Sequence, residues 1–227
     1  MANEQYYNAP IALLQGFFTD KKACLNNFLD YHLFRHSQAL EYNSDLEKIQ
    51  ASANFYGVIL GNPKAALANG QKLYNQFPEG SVMVGISKSK YWDYKKNNKK
   101  PFQDACFMAD CAIRSILGLK RECKITNNFF WARMDGKANT ITDVSELSDT
   151  VKKYANRYQT DKIKNELFDN WHLCHYSSNM RGWWVSYDLS LETLALHAEA
   201  NRKPHLDKQR KEKMKAAREA ALRKLNS

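Results

Sequence analysis

Between Pro101 and Gly118 the apolar residues Phe102, Cys106, Ala109, Ile113 and Ile116 recur at intervals of 4, 3, 4 and 3. That is the period of an α-helix with one buried face. Proline suits the first helical position, and glycine suits the residue just past the last. A helix of this kind cannot stand alone in water, so it needs apolar neighbours. The flanking sequence supplies them. Asp20 caps a helix toward Glu41 that carries Leu25, Phe28, Leu29, Leu33 and Leu40 on one face. Ser44 opens a second, to about Leu60, and Asn62-Pro63 a third, ended by a Pro78-Glu79-Gly80 turn. Val82, Val84 and Ile86 alternate as in a short strand.

Beyond the central helix, Thr126 or Asn127 starts a helix that runs to Met134. Asp143 precedes another, with Val144, Leu147, Val151, Tyr154 and Tyr158 on one face, and Asp161 caps a further one through Trp171. Residues 177–184 break the pattern. Ser190 begins a helix to about Asn201, and Asp207, after the helix-interrupting Pro204, caps a last one. Only nine glycines and five prolines occur in 227 residues, so chain breakers are few. The fold predicted is all-α, or predominantly α with at most a short strand pair. A compact multi-helix domain spans residues 1–200, and residues 201–227 form a basic amphipathic helical tail.

Helix, Gly118, short link and helix invite comparison with a helix-turn-helix. Ile113, Leu117 and Leu119 fit that pattern, whereas Arg114, Lys124 and Asn127 stand where small or apolar residues are wanted. The match is half right.

The net charge of +10 is not evenly spread. Residues 87–100 hold Lys88, Lys90, Lys95, Lys96, Lys99 and Lys100 against Asp93 alone. Residues 201–227 hold ten lysines and arginines, among them Lys208, Arg210, Lys211, Lys213, Lys215, Arg218, Arg223 and Lys224, against three carboxylates. The rest of the chain is nearly neutral, although Lys120, Arg121, Lys124 and Arg133 add local positive charge. Such clusters repel themselves and favour a polyanionic partner. Tyr91, Trp92 and Tyr94 lie among the first lysines, a combination used by proteins that hold single strands. The bland alternative is that the rings face the core while the lysines reach out from the other side. Trp183 and Trp184 are consecutive, so a strand would send them to opposite faces. One of them, with Arg181, is then a candidate partner surface.

Recognisable catalytic motifs are lacking: no GxGxxG, phosphate-binding lysine loop, HExxH or GxSxG. His172, Cys174 and His175 form the best remaining candidate for a zinc site or an activated thiol, although histidines also favour a helix C-terminus. His32 and His36 share helical spacing without a following glutamate and read as core histidines. Asp104 and Asp110 are six apart, on opposed faces of one helix, and make no carboxylate pair. The cysteine count is odd and the spacing irregular, which points to reduced thiols. No apolar run approaches ~18 residues, and no basic segment precedes an apolar one at the N-terminus. The expectation is a cytoplasmic, non-enzymatic accessory protein with no cofactor and no membrane contact. It would bind nucleic acid or a nucleoprotein complex through its two basic segments. The alternative is a protein-interaction module, homodimeric or accessory to a phage- or defence-type nucleic-acid effector, whose basic surface meets an acidic protein. A third reading is an enzyme or zinc site at His172, Cys174 and His175.

Overall fold

The computed structural model describes residues 4–77, 80–177 and 182–225, with side chains at 203, 205, 206 and beyond 217 left aside. Pro78, Glu79 and Arg181 therefore lie outside the described residues, as do the side chains of Arg218, Arg223 and Lys224. Helices dominate: α1 Lys21–Ser37, α2 Asp45–Phe55, α3 Pro63–Gln76, α4 Lys88–Lys96, α5 Pro101–Leu117, α6 Asn127–Met134, α7 Asp149–Lys152, α8 Arg157–Trp171 and α9 Leu191–Leu225. Two small antiparallel sheets complete the fold. In the first, β1 (Tyr6–Pro10) pairs with β2 (Met83–Ser87). In the second, β5 (Trp183–Ser186) lies between β3 (Cys123–Ile125) and β4 (Cys174–Tyr176).

Helix starts follow capping chemistry. The side chains of Asp20, Ser44, Asn62, Thr126 and Asn156 each accept a backbone N–H from the first turn of their helix. Several boundaries differ from the sequence reading: α1 stops at Ser37 and α2 at Phe55, short of Glu41 and Leu60, and Lys88–Lys96 forms a helix that was not expected. The Val144–Tyr158 periodicity does not make one helix. Asp143 and Glu146 close a capping box around a single 3₁₀ turn, and Leu147 then leaves in an extended conformation. Asn156, not Asp161, caps α8, and Asp161 sits inside it beside Lys164 and Arg157. Helix α9 runs through Pro204 and Asp207 without a break. Proline there removes one backbone hydrogen bond, and the Ala-, Lys- and Arg-rich turns that follow favour helix strongly.

Helix α5 is the dividing wall. Phe107, Met108 and Cys111 face a core built with α1, α2, α3, α4 and the first sheet. Ala105, Cys106, Ala109, Ala112, Ile113 and Leu117 face another, built with α6, α8 and the second sheet. Both sides of the helix are therefore buried, beyond the single stripe that the sequence period suggested. The link after Gly118, where φ is +56°, becomes strand β3. A strand paired to β5 between α5 and α6 replaces the tight turn that a helix-turn-helix requires.

Strand β1 is fixed from beneath by α1. The N–H of Asn8 donates to His32 Nδ1 at 3.1 Å, and the His32 ring packs on Tyr7 and Tyr56. His32 is 4% exposed, and burial pushes its imidazole down to about 4. Protonation would also remove the acceptor that Asn8 needs. The unfolded chain binds this proton near pH 6.5, so stability should be full above that pH. It should fall by roughly 3 kcal/mol as the pH drops toward 4. Urea midpoints measured from pH 7 to 5 should decline for the wild type and decline less for His32→Gln. Parallel curves would remove His32 as the cause.

Candidate nucleic-acid interface

Helix α4 divides its residues between core and surface. Tyr91 is fully buried and donates its hydroxyl to the Leu25 carbonyl at 2.8 Å. Tyr94 is buried too, stacked on Phe107 with centroids 4.3 Å apart, and donates to the Gln103 carbonyl. These two rings belong to the core and cannot stack on bases, which corrects their assignment from sequence. Trp92 differs. It is half-buried, donates Nε1–H to the Tyr7 hydroxyl at 3.1 Å, and lies 5.0 and 5.2 Å from the ammonium groups of Lys95 and Lys96.

The six lysines of this segment are equally unlike. Lys90 is tied to Asp110 at 2.8 Å and sits over the Trp171 ring. Lys99 pairs with Asp93 at 2.6 Å, and Lys88 lies half-buried beside Gln5. Lys96 and Lys100 are exposed. Lys88, Lys95 and Lys96 stand four, three and four residues from Trp92, so they neighbour it on one helix face.

That face borders a cavity of about 560 Å³. Trp92 and Lys95 form one side, and Asn26, Asn27 and Asp30 of α1 and Asn69 of α3 form another. Asn69 Nδ2 donates to Asn27 Oδ1 at 3.0 Å and to Asp30 Oδ2 at 2.8 Å. Burial holds the Asp30 carboxyl above its ordinary range and the Lys95 ammonium below its own. The cavity thus offers an aromatic wall, amide donors and acceptors, one carboxylate and one cation. A planar, polar, hydrogen-bonding ring matches that set. The amides were not singled out from sequence. Asn26, Asn27 and Asp30 do form a polar patch on α1, but no spacing tells that Asn69 lies opposite.

A second basic surface is α9. Lys208, Arg210, Lys211, Lys213 and Lys215 are exposed, as is Met214. On the second sheet, Trp183 is buried against Phe130, with Lys164 Nζ 4.4 Å from its ring centroid. Trp184 takes the opposite face, half-buried, with Lys124 and Tyr176 as its cross-strand partners. Lys120, Arg121 and Lys124 are exposed. Arg133 is not a surface contact. It is 5% exposed, stands over Phe129, and its Nε and Nη1 have no hydrogen-bond partner among the described residues.

Asp110 anchors a third charged group. This carboxylate is 1% exposed yet accepts from Lys90 Nζ, from Arg114 Nε at 3.1 Å to each oxygen, and from the Tyr187 hydroxyl. Asp104, at the other end of α5, pairs separately with Lys21 at 2.9 Å.

His172, Cys174 and His175 do not converge. His172 is the exposed left-handed residue that ends α8, with φ +59°. Cys174 and His175 are consecutive in β4 and point to opposite faces. His175 packs on Phe168 and Trp183, and His197 bonds Glu122 at 3.0 Å. Among the described residues no three histidines, cysteines or carboxylates gather as metal ligands. All five cysteines are free, and burial raises the Cys106 and Cys123 thiols to about 12 and about 11. No family model, no curated protein and no solved structure matches the chain.

Arg133 makes a direct test of burial energetics. An unpaired buried cation costs several kcal/mol, whereas an apolar side chain of similar length does not. Arg133→Met should raise the unfolding free energy by about 1–3 kcal/mol. Loss of stability in urea titration would mean that the guanidinium has a favourable role inside the fold.

Proposed function

We propose that the protein is a non-enzymatic, nucleic-acid-binding accessory factor that holds an unpaired stretch of strand. The observation that carries this reading is Trp92. It is a half-buried indole beneath two ammonium groups, on the wall of a cavity lined with amides. An unstacked base entering that cavity would meet an aromatic wall, while Lys95 and Lys96 neutralise the adjoining phosphates. Helix α9 supplies further phosphate contacts from five exposed cations distributed around it. Such contacts position a strand without reading its sequence.

An acidic protein would answer the same electrostatics, so salt dependence alone does not separate the two partners. Fluorescence anisotropy with labelled single- and double-stranded DNA and RNA, over a series of salt concentrations, does. Single strands should bind, and the logarithm of affinity should fall linearly with that of salt. Converting Lys208, Arg210, Lys211, Lys213 and Lys215 to Gln in the full chain should flatten that slope by ~0.7 for each phosphate no longer neutralised. Lys96→Glu should weaken single-strand binding and leave the urea midpoint unchanged, because Lys96 is exposed. Absence of binding to every oligonucleotide at about 50 mM salt, where electrostatic attraction is strong, would overturn the proposal. The basic surfaces would then belong to an acidic protein partner.

A further inference from the structure

The Asp110 network holds one arginine in a fixed pose at the end of α5. Arg114 Nε lies 3.1 Å from each Asp110 oxygen, and its guanidinium carbon lies 4.1 Å from the Tyr187 ring centroid. Tyr187 itself donates to Asp110. One edge of the guanidinium is therefore held by a carboxylate and one face by a ring. Among the described residues none accepts a hydrogen bond from Nη1 or Nη2. An arginine pinned in this way has already lost the rotamer freedom that binding would otherwise take.

Arg114 lines a cavity of about 270 Å³ together with Lys120, Arg121, Tyr6, Asn8 and Asp188. Arg114, Lys120 and Arg121 line it with one carboxylate, Asp188, while Asp110 sits behind Arg114, so cations still outnumber carboxylates. Gly85 completes the wall beside Asn8, and a Cβ at Gly85 would fall 2.8 Å from Asn8 Oδ1. The glycine thus leaves that amide oxygen its place. The outer edge of a guanidinium presents two parallel N–H groups, which match two oxygens of one phosphate. The volume falls just below the ~300–1,000 Å³ of ordinary ligand pockets, enough for a phosphate with part of a sugar. An internal phosphodiester continues in both directions and runs along a surface, whereas a chain end can enter a small hollow. An excess of cations favours the doubly charged terminal group.

We propose that the Arg114 cavity receives a phosphate monoester, the terminal phosphate of a nucleotide or of a nucleic-acid strand. The strand form rests on the nucleic-acid reading above, and the nucleotide form does not. The full-length protein is titrated with single-stranded oligonucleotides ending in phosphate or hydroxyl at either end. Adenosine 5′-monophosphate, adenosine and inorganic phosphate are titrated by calorimetry. A phosphorylated end should bind ~10-fold tighter than a hydroxyl end, the effect of one or two charge-assisted hydrogen bonds. Adenosine 5′-monophosphate should bind and adenosine should not.

Arg114→Lys keeps a cation beside Asp110 but loses the fork, and should bring the ratio close to 1. The pair Lys120→Gln and Arg121→Gln lies outside the buried network and should reduce the ratio even if the first variant does not fold. Nucleotide binding without oligonucleotide binding would support the cavity and overturn the strand reading. Oligonucleotides that bind regardless of their ends, with no nucleotide binding, would overturn the cavity and leave the strand reading intact. Binding of inorganic phosphate alone would also overturn the cavity proposal.

Discussion

A single buried carboxylate sets the relation between the parts of this protein. Asp110 lies in the most apolar helix of the chain, where an isolated negative charge would be strongly unfavourable. Its partners come from three places: Lys90 on α4, Arg114 one turn along α5, and Tyr187 just after β5. Lys90 belongs to the side of the first core, and Tyr187 packs against the second. The carboxylate therefore joins both halves across α5. Removing it would leave two half-buried cations without their counter-charge, which is worse than never having built the pair. The same network leaves the outer edge of Arg114 turned toward a cavity.

Close approach of two helices creates the other cavity. Gly70 on α3 lies so near α1 that a Cβ there would be 2.6 Å from the Asp30 carbonyl oxygen and 2.6 Å from Phe34 Cβ. Its neighbour Asn69 can then reach both Asn27 and Asp30. Helix α4 closes the remaining side. With Tyr91 and Tyr94 inward, the helical period places Trp92 and Lys95 along the rim, with Lys96 beside Trp92. One short helix thus serves core and surface at once, and its inward tyrosines orient its outward tryptophan.

Much of the helical layout was legible from local chemistry. Caps at Asp20, Ser44, Asn62 and Thr126, and the Pro101–Gly118 helix, depend on residues within one turn of each other. The pairing of β1 with β2 was not legible, because it joins Tyr6 to Ser87 across many intervening residues. The second sheet was hidden for the same reason, its strands being three and four residues long with partners far off in sequence. The candidate site was legible in part. Lysine clustering marked α4 and α9, and alternation marked Trp183 and Trp184 as facing apart. Which tyrosines turned inward, and that Arg133 was buried, depended on what packed against each helix.

The sequence by itself determined where most helices start, that an apolar helix must be enclosed, and where positive charge accumulates. Each of these follows from backbone hydrogen bonding, side-chain period and composition, which act over a few residues. Only the tertiary structure decided which of those charges are free. Lys90 and Lys99 are taken up by carboxylates and Arg114 on one edge only, while Lys96, Lys100 and the described α9 cations remain exposed. It also brought Asn69 to Asp30, and Arg114 to Tyr187. The physical reason is that burial and pairing are properties of space: a carboxylate neutralises whichever cation the packing brings within reach, however far away it lies in the chain.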